Sequence, residues 1–416
     1  MNFLIHSAIA LAVAFAVTYI MVPVSKRIAM RLGAIDYPGN RRVNRTPIPR
    51  CGGIAIFVGF MATFLLVSLL ARTYGNCILD FVMERDVNGF LLVGGIALMF
   101  VVGLVDDVRQ LGPKVKFLWQ IASCAIVFAS GISFDVVANP FDGSLIPLGV
   151  LDGPLTVLYL LVFVNVTNLI DGLDGLAAGL VAIVAACLLA LVIPSGSFTV
   201  SAMCLGLIGA CLAFLRYNFY PATVFMGDSG SLFLGLIVGI ISIMGVARTA
   251  SLVLMLVPLV IAGVPVIDTA SAVVRRILAH KHIDEADMGH VHHRLLNLGY
   301  SQRKAVLILY TCSAALGVAG VSVGYIDGPG RFAVLGAMAA IVAIAIWKLG
   351  LFRPVLQHYY DNRGQTGPRI PKGYEPGSQI PKTSPRADPP TGESDGEPAD
   401  SPEPGSPPEM LSRNSL

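Results

Sequence analysis

The sequence predicts an all-α, polytopic integral membrane protein with about eleven transmembrane helices and its N-terminus outside. Hydrophobic residues make up 55% of its 416 residues and only 13% are charged, whereas about 25% are charged in soluble domains. The mean hydropathy is +0.73. Apolar runs of about 20 residues, the length that a helix needs to cross a bilayer, recur from Met1 to Leu351. This composition excludes a soluble multidomain protein, and the net charge of +3 is too small to indicate a nucleic-acid partner.

The candidate spans follow one another along the chain. They are residues 3–24, 52–71, 89–105, 116–133, 154–168, 176–194, 198–215, 231–245, 251–270, 304–325 and 331–350. Several are short or rich in glycine, which allows ten spans instead of eleven. The first has neither a positive segment before it nor a small-residue cleavage site, and Lys26 and Arg27 follow it. These features argue against a cleaved signal peptide and for an N-terminus outside.

The basic residues of the loops predict how the spans are oriented. With the N-terminus outside, the inward segments are 25–51, 106–115, 169–175, 216–230 and 271–303. The first and last of these are densely basic, whereas the outward loops carry only Arg72, Arg85, Arg248 and Arg331. This distribution follows the positive-inside rule, so we expect the polar clusters of the inward segments on the cytoplasmic face. The outward stretch 134–153 is predicted to form a small hairpin.

The chain divides into a membrane domain, residues 1–352, and a tail, residues 353–416. Residues 361–416 are rich in Pro, Gly, Ser and acidic residues and contain almost no large apolar side chains. Such a segment cannot bury enough surface to offset its ordering entropy. We therefore expect a disordered cytoplasmic tail, whose PxxP-like stretch at Pro381–Pro385 could dock a partner but is more simply explained as solvated chain.

Two adjacent carboxylates end the third span. Asp106 and Asp107 repel each other, and each raises the other's pKa unless a cation or a basic neighbour relieves the repulsion. Arg109, Lys114 and Lys116 follow closely and are candidates for that relief. The pair therefore indicates a functional site at the inner membrane surface, with a simple helix boundary as the alternative.

A second polar cluster ends the fifth span, where Asn165, Asn168, Asp171 and Asp174 recur every three residues. If the segment is helical, they form a polar stripe on one side of the helix. Oxygen ligands of this type suit Mg²⁺. The alternative is a polar contact between helices.

A single carboxylate precedes the eighth span. Asp228 lies in Gly-Asp-Ser-Gly-Ser at 227–231, where small residues expose backbone N–H groups that can bind an anion at a helix start. The alternative is that Asp228 is only the N-cap of that helix. Glycines 52 and 53 open the second span in a similar way and suggest close packing.

Histidines are concentrated in the last inward segment. His290, His292, His293 and Arg294 follow His280 and His282, so five of the seven histidines lie within residues 280–293. No cysteine is near and the spacing does not match common zinc sites. Imidazole and guanidinium donors here are better suited to binding phosphates or a nucleotide base. The alternative is a solvated polar loop without a binding function.

Taken together and in this order, the motifs resemble one family. Asp-Asp at 106–107, NLIDGLDG at 168–175, GDSGSLFLG at 227–235 and HVHHRL at 290–295 resemble the polyprenyl-phosphate N-acetylhexosamine-1-phosphate transferases of glycosyltransferase family 4. The resemblance covers residues 1–350 and is closest to the undecaprenyl-phosphate N-acetylglucosamine-1-phosphate transferases. Asn44 and Gln110 depart from residues common in the family, and Gln110 fits the N-acetylglucosamine branch.

The resemblance implies roles for the residues named above. Mg²⁺, with Mn²⁺ allowed, would be held by Asn168 and Asp228. The catalytic set would be Asp106, Asp107, Asp171 and Asp174, and the substrate-binding set would be Asn165, His290, His292, His293, Arg294 and Lys116.

The implied reaction transfers a sugar 1-phosphate from a UDP-sugar to undecaprenyl phosphate and releases UMP. It would be the first membrane step of cell-envelope polysaccharide synthesis, with the active site on the cytoplasmic face of a bacterial inner membrane, and the resemblance allows a homodimer. Two alternatives remain. One is an enzyme like the phospho-N-acetylmuramoyl-pentapeptide transferases, and the other is an ion-coupled secondary transporter, whose charges should lie near the bilayer midplane.

The tail is predicted to be dispensable for this reaction. Truncation after Gln357 should leave activity in membranes within about a few-fold of the full chain, because a segment of this composition cannot form a core. The measurement is the transfer rate per inserted protein in membranes. Complete loss of activity with normal insertion would contradict the prediction.

Overall fold

The computed structural model describes residues 2–37, 46–73, 87–138, 144–195, 197–246, 295, 299–326 and 330–348. Ten α-helices lie in these residues: α1 Asn2–Leu32, α2 Gly53–Thr73, α3 Gly89–Arg109, α4 Pro113–Ala129, α5 Asp152–Ile170, α6 Leu176–Val192, α7 Phe198–Asn218, α8 Gly227–Val246, α9 Gln302–Tyr325 and α10 Gly330–Lys348. Short 3₁₀ turns at Gly149–Leu151 and Ile193–Ser195 adjoin α5 and α6. The chain is therefore all-α, as predicted.

Ten of the eleven predicted spans coincide with these helices. Six helical segments of the described chain are long and apolar enough to cross a membrane: Ala8–Leu32, Gly89–Arg109, Gly149–Ile170, Phe198–Asn218, Gly227–Gly245 and Gln302–Tyr325. Two shorter apolar helices are Gly53–Leu66 and Leu176–Val192. The prediction of a polytopic membrane protein is thus confirmed, whereas the total of eleven spans and the outside N-terminus stay predictions.

Some predicted residues lie outside the described part of the chain. These are the ninth span at 251–270, the cluster His290, His292, His293 and Arg294, and the boundary between residues 352 and 353 with the tail that follows it.

Two small antiparallel pairs of strands lie between the helices. Val136–Ala138 (β3) pairs with Leu145–Pro147 (β4), with Val137 opposite Ile146, which confirms the hairpin predicted within 134–153. Ile35–Asp36 (β1) pairs with Ile48–Pro49 (β2) between α1 and α2.

Helix α1 continues beyond its predicted end. The apolar run stops near residue 24 because Lys26 and Arg27 follow, but both are good helix formers and the helix extends to Leu32. It ends where Gly33 adopts a φ of +71°, a left-handed conformation that glycine reaches without steric cost.

Helix α8 is the centre of the bundle. It packs against α2, α3, α5, α6 and α7, and nearly all of its residues are buried. Close approach depends on small residues at its N-terminal end, because a Cβ on Gly103 of α3 would fall on the backbone of Asp228, and one on Gly53 of α2 would fall on Gly230. The close packing expected at the start of α2 is therefore present, and it fixes the first turn of α8 between α2 and α3.

Candidate active site

Four helix ends meet at one end of the bundle and bring polar side chains together. Asp106 lies in the last turn of α3, Lys116 in the first turn of α4, Asn168 in the last turn of α5 and Asp228 in the first turn of α8. The residues come from positions up to 122 apart in the sequence, and the alternating direction of successive helices brings them to the same end. All four residues were predicted from the sequence as site residues.

The ammonium group of Lys116 lies at the centre of this cluster. Its Nζ atom donates hydrogen bonds to Asp106 Oδ2 at 3.0 Å, to Asp228 Oδ2 at 2.5 Å and to Asn168 Oδ1 at 3.5 Å. The side chains of Lys116, Asp106 and Asp228 are only 16%, 10% and 18% exposed, so water screens this interaction weakly. Three oxygen atoms from three helices therefore face a single positive charge.

The amide of Asn168 is held in one orientation. Its Nδ2 atom donates to Asp228 Oδ1 at 2.7 Å and to Ser231 Oγ at 2.9 Å. Because both amide hydrogens have acceptors on α8, the amide oxygen is turned toward Lys116. Asn168 thus presents an oxygen to the cation position and at the same time joins α5 to α8.

The two adjacent aspartates point in different directions. Consecutive helical residues are about 100° apart around the axis, and Asp106 faces the Lys116 cluster while its other oxygen, Oδ1, accepts from the backbone N–H of Leu111 at 2.6 Å. Asp107 faces the start of α8, and its side chain has no exposed surface. The repulsion expected between the two carboxylates is relieved because each has its own partners. Asp106 binds Lys116, and Asp107 binds the first turn of α8.

The carboxylate of Asp107 accepts three hydrogen bonds from the first turn of α8. Its Oδ1 accepts from the backbone N–H of Asp228 at 2.7 Å, and its Oδ2 accepts from Ser229 N at 3.1 Å and Ser229 Oγ at 2.6 Å. A guanidinium nitrogen of Arg50 lies 3.9 Å from Asp107 Oδ1. Asp228 is therefore not the N-cap of its helix, because its carboxylate binds Asn168 and Lys116 instead.

Arg50 is placed by backbone pairing. Phe225 N donates to Pro49 O at 2.8 Å, and the N–H groups of Gly52 and Gly53 donate to Phe225 O and Met226 O at 2.9 and 2.8 Å. Arg50 belongs to the densely basic segment 25–51, and no local pattern in the sequence shows that this loop reaches α8. Ser229 and Ser231 were part of the quoted motif, but their partners were not predictable.

The polar stripe predicted at the end of α5 stops after Asn168. The helix ends at Ile170, so Asp171 and Asp174 lie in the turn before α6. Burial raises the pKa of Asp171 to about 8, and the charges of Asp228 and Asp107 also raise it, whereas Arg50 lowers it.

Asp174 connects the turn to a neighbouring loop. Its Oδ2 accepts from Ala222 N at 2.9 Å. Burial raises its pKa, while the hydrogen bond from the backbone N–H of Ala222 lowers it. This contact indicates that Asp174 helps to join the turn to the α7–α8 loop, and its catalytic role stays a prediction.

Asn165 lies one turn of helix before Asn168. Its Nδ2 atom donates to Gln120 Oε1 at 3.1 Å and to Leu161 O at 2.9 Å. Gln120 is buried on α4, so this contact is the polar seam between helices that was the alternative interpretation. Substrate binding by Asn165 stays a prediction.

The donor set of the cluster suits one kind of metal. Among the described residues, no group of three or more His, Cys, Asp or Glu side chains could hold a metal ion. Mg²⁺ does not require one, because it is usually bound by one or two carboxylates together with water and substrate phosphates. Two carboxylates and an amide oxygen that already surround the ammonium of Lys116 fit that requirement.

Comparison with known proteins gives a family match and several relatives. The model of glycosyl transferase family 4 matches residues 89–246, which include α3 to α8 and all four residues of the cluster. A probable undecaprenyl-phosphate N-acetylglucosaminyl 1-phosphate transferase of Bacillus subtilis is 38% identical over 307 residues, 74% of this chain and 82% of that protein. A decaprenyl-phosphate N-acetylglucosaminephosphotransferase of Mycolicibacterium smegmatis is 35% identical over 359 residues, 81% of this chain and 86% of that protein. A phospho-N-acetylmuramoyl-pentapeptide-transferase of Desulforudis audaxviator is 33% identical over 345 residues, 76% of this chain and 97% of that protein.

Proposed function

The chain belongs to glycosyl transferase family 4 and is a phosphotransferase of membranes, and from this we propose its reaction. It transfers N-acetylglucosamine 1-phosphate, or a related sugar 1-phosphate, from the UDP-sugar to undecaprenyl phosphate and releases UMP. The observation that carries the proposal is the cluster of Asp106, Lys116, Asn168 and Asp228 at one end of the membrane helices. A site at that position can take a soluble donor and a lipid acceptor together.

The cluster lies at helix ends, which favours a transferase over a transporter. Asp106 is three residues from the end of α3, and Asp228 is the second residue of α8. An ion-coupled carrier usually places its charges near the bilayer midplane, often on interrupted helices. The proposed active site lies on the cytoplasmic face of a bacterial inner membrane, as the basic inward loops predict.

Relatives favour N-acetylglucosamine as the sugar. The proteins from Bacillus subtilis and Mycolicibacterium smegmatis are named for N-acetylglucosamine and are 38% and 35% identical to this chain. The muramoyl-pentapeptide enzyme is 33% identical and provides the second candidate. Because the acceptors in these names differ in polyprenyl length, the proposal requires a polyprenyl phosphate and takes undecaprenyl phosphate as the first choice.

In the proposed reaction, Asp228, Asn168 and Asp106 would hold Mg²⁺, or Mn²⁺ in its place. A bound divalent cation neutralises charge on the donor pyrophosphate and on the leaving UMP. The three N–H donors of Lys116 face these same oxygens in the structure, so Lys116 can bind phosphate oxygens only where the cation replaces it as their partner. The nucleotide-sugar is assigned to His290, His292, His293 and Arg294, whose donors suit phosphates.

The acceptor needs little help to become a nucleophile. The second pKa of a phosphate monoester is about 6, so a polyprenyl phosphate is mostly dianionic at neutral pH. Positioning and charge neutralisation are therefore the main tasks of the site. Asp106 serves them by holding Lys116 and the cation.

The proposal is tested with the purified full-length protein in detergent. UMP release is measured with UDP-N-acetylglucosamine, undecaprenyl phosphate and Mg²⁺, then with each omitted in turn, and with UDP-N-acetylmuramoyl-pentapeptide as the competing donor. We expect release that requires the lipid and the divalent cation and that prefers UDP-N-acetylglucosamine. UMP release that is independent of the lipid, or no release with either donor, would contradict the proposed function.

A further inference from the structure

The start of α8 lacks a capping side chain of its own. The first backbone N–H groups of a helix have no partners within the helix. One of them usually donates to the side-chain oxygen of a Ser, Thr, Asp or Asn residue just before the helix. Here Met226 and Gly227 stand at that position, and neither side chain has an oxygen acceptor. The N–H groups of Asp228 and Ser229 are bound instead by Asp107 of α3, which is 121 residues earlier in the sequence than Asp228.

The Asp107 carboxylate lies directly against the backbone of Gly227, the first residue of α8. A Cβ on Gly227 would lie 2.5 Å from each of the two carboxylate oxygens of Asp107, and Gly227 also has a φ of +73°. Only glycine permits both the conformation and the approach. Asp107 itself is fully buried, so the carboxylate is enclosed by the turn that it binds.

All three hydrogen bonds of the Asp107 carboxylate come from the first turn of α8. One of its oxygens accepts from Asp228 N, and the other accepts from both donors of Ser229. Asp106, in contrast, contacts Lys116 directly at 3.0 Å. The two aspartates therefore have different tasks although they are adjacent in the sequence.

We infer that Asp107 is a positioning residue: its carboxylate caps α8 from a neighbouring helix and so holds Asp228 in place against Asn168 and Lys116. It acts through Asp228 and not on the substrates. The inference rests on the proposed function, in which Asp228 helps to hold the divalent cation. It also accounts for the glycine at position 227.

The first test replaces Asp107 by Asn in the full-length protein. An amide keeps one acceptor oxygen, but its NH₂ group faces a donor of Ser229, so the first turn of α8 should be held less well. Outer-shell substitutions of this kind cost about 10–100-fold in metal affinity. We expect Mn²⁺ binding to the protein alone, followed by the electron paramagnetic resonance of free Mn²⁺, to weaken by about tenfold. The Mg²⁺ concentration for half-maximal UMP release should rise in parallel, while kcat at saturating Mg²⁺ returns to within a few-fold of wild type.

A double-mutant cycle with Ser229→Ala separates this role from general destabilisation. Ser229→Ala removes one of the three hydrogen bonds, so alone it should weaken Mn²⁺ binding in the same direction. In the Asp107→Asn background it should have little further effect, because residues that share one interaction are not additive. Ser229→Ala keeps the Asp107 carboxylate, so it tests the inference even where Asp107→Asn does not fold. Asp135→Asn, an exposed aspartate beyond the far end of α4, is the matched control and should change nothing.

Two results would overturn the inference. One is an Asp107→Asn protein that binds Mn²⁺ normally but stays inactive at every Mg²⁺ concentration, since Asp107 would then act in the chemistry itself. The other is a Ser229→Ala protein with unchanged Mn²⁺ affinity. Failure of the proposed function looks different, because the wild-type protein would then release no UMP or bind no Mn²⁺.

Discussion

Replacing Asp228 by Asn is expected to abolish transfer and with it the response to Mg²⁺. Asp228 Oδ2 contacts Lys116 at 2.5 Å, and Asp228 Oδ1 accepts from Asn168 at 2.7 Å. Asn has the same shape but no charge, and its NH₂ group would face either the ammonium or the amide hydrogens of Asn168. The cluster would lose half of its negative charge at the point where we propose that the divalent cation binds.

The measurement is UMP release by wild type and Asp228→Asn across a range of Mg²⁺ concentrations, with Mn²⁺ binding as the second readout. Breaking a buried ion pair by removing one partner costs about 3–5 kcal/mol, so thermal unfolding in detergent must show that the variant is folded. Asp135→Asn is the isosteric control and should keep full activity. Activity near wild type in folded Asp228→Asn would show that Asp228 does not hold the metal.

The spans could be predicted from the sequence because the bilayer imposes a length and a polarity that local runs of residues reveal. Ends of helices were less predictable. Helix α8 begins at Gly227, four residues before the predicted span, because Asp107 satisfies its first N–H groups. No pattern within 227–235 shows that a carboxylate from α3 reaches this turn, so the boundary depends on tertiary structure.

The site was predictable as a set of residues but not as a geometry. Asp106, Lys116, Asn168 and Asp228 were selected from motifs, and they meet because four helix ends fall on the same side of the bundle. The sequence did not reveal that Asp106 and Asp107 have different partners and different roles. That difference depends on how α3 is rotated relative to α4 and α8. The predicted polar stripe from Asn168 to Asp174 rested on a spacing of three residues and required a continuous helix. Helix α5 ends at Ile170, before Asp171.

Asp106→Asn is expected to remain slow at every pH, because Asp106 holds a cation and does not remove a proton. One of its oxygens accepts from Leu111 N at 2.6 Å and the other from Lys116 at 3.0 Å. Substitution would leave the ammonium of Lys116 with fewer acceptors and would weaken the cation position. We expect initial rates about 100-fold below wild type, the upper part of the range seen when residues that support a metal site are changed.

The pH dependence distinguishes this role from general base catalysis. If Asp106 took a proton from the acceptor, its loss would matter most below the phosphate pKa of about 6, where the acceptor carries that proton. Raising the pH would form the dianion without help, and the variant would recover. A residue that holds Lys116 and a metal is needed whether or not the acceptor is ionised, so its variant should stay slow.

The measurement is the initial rate of UMP release between pH of about 5.5 and 9, on either side of the acceptor pKa, for wild type, Asp106→Asn and the control Asp135→Asn at saturating Mg²⁺. Rates of Asp106→Asn relative to wild type should be the same across this range. A relative recovery of more than about tenfold, equal to about 1.4 kcal/mol of barrier, would show that Asp106 acts as a general base. A covalent aspartyl-phosphate on Asp106 also predicts low rates at every pH. It predicts in addition a burst of UMP without lipid in the wild type, which a direct transfer between donor and acceptor does not produce.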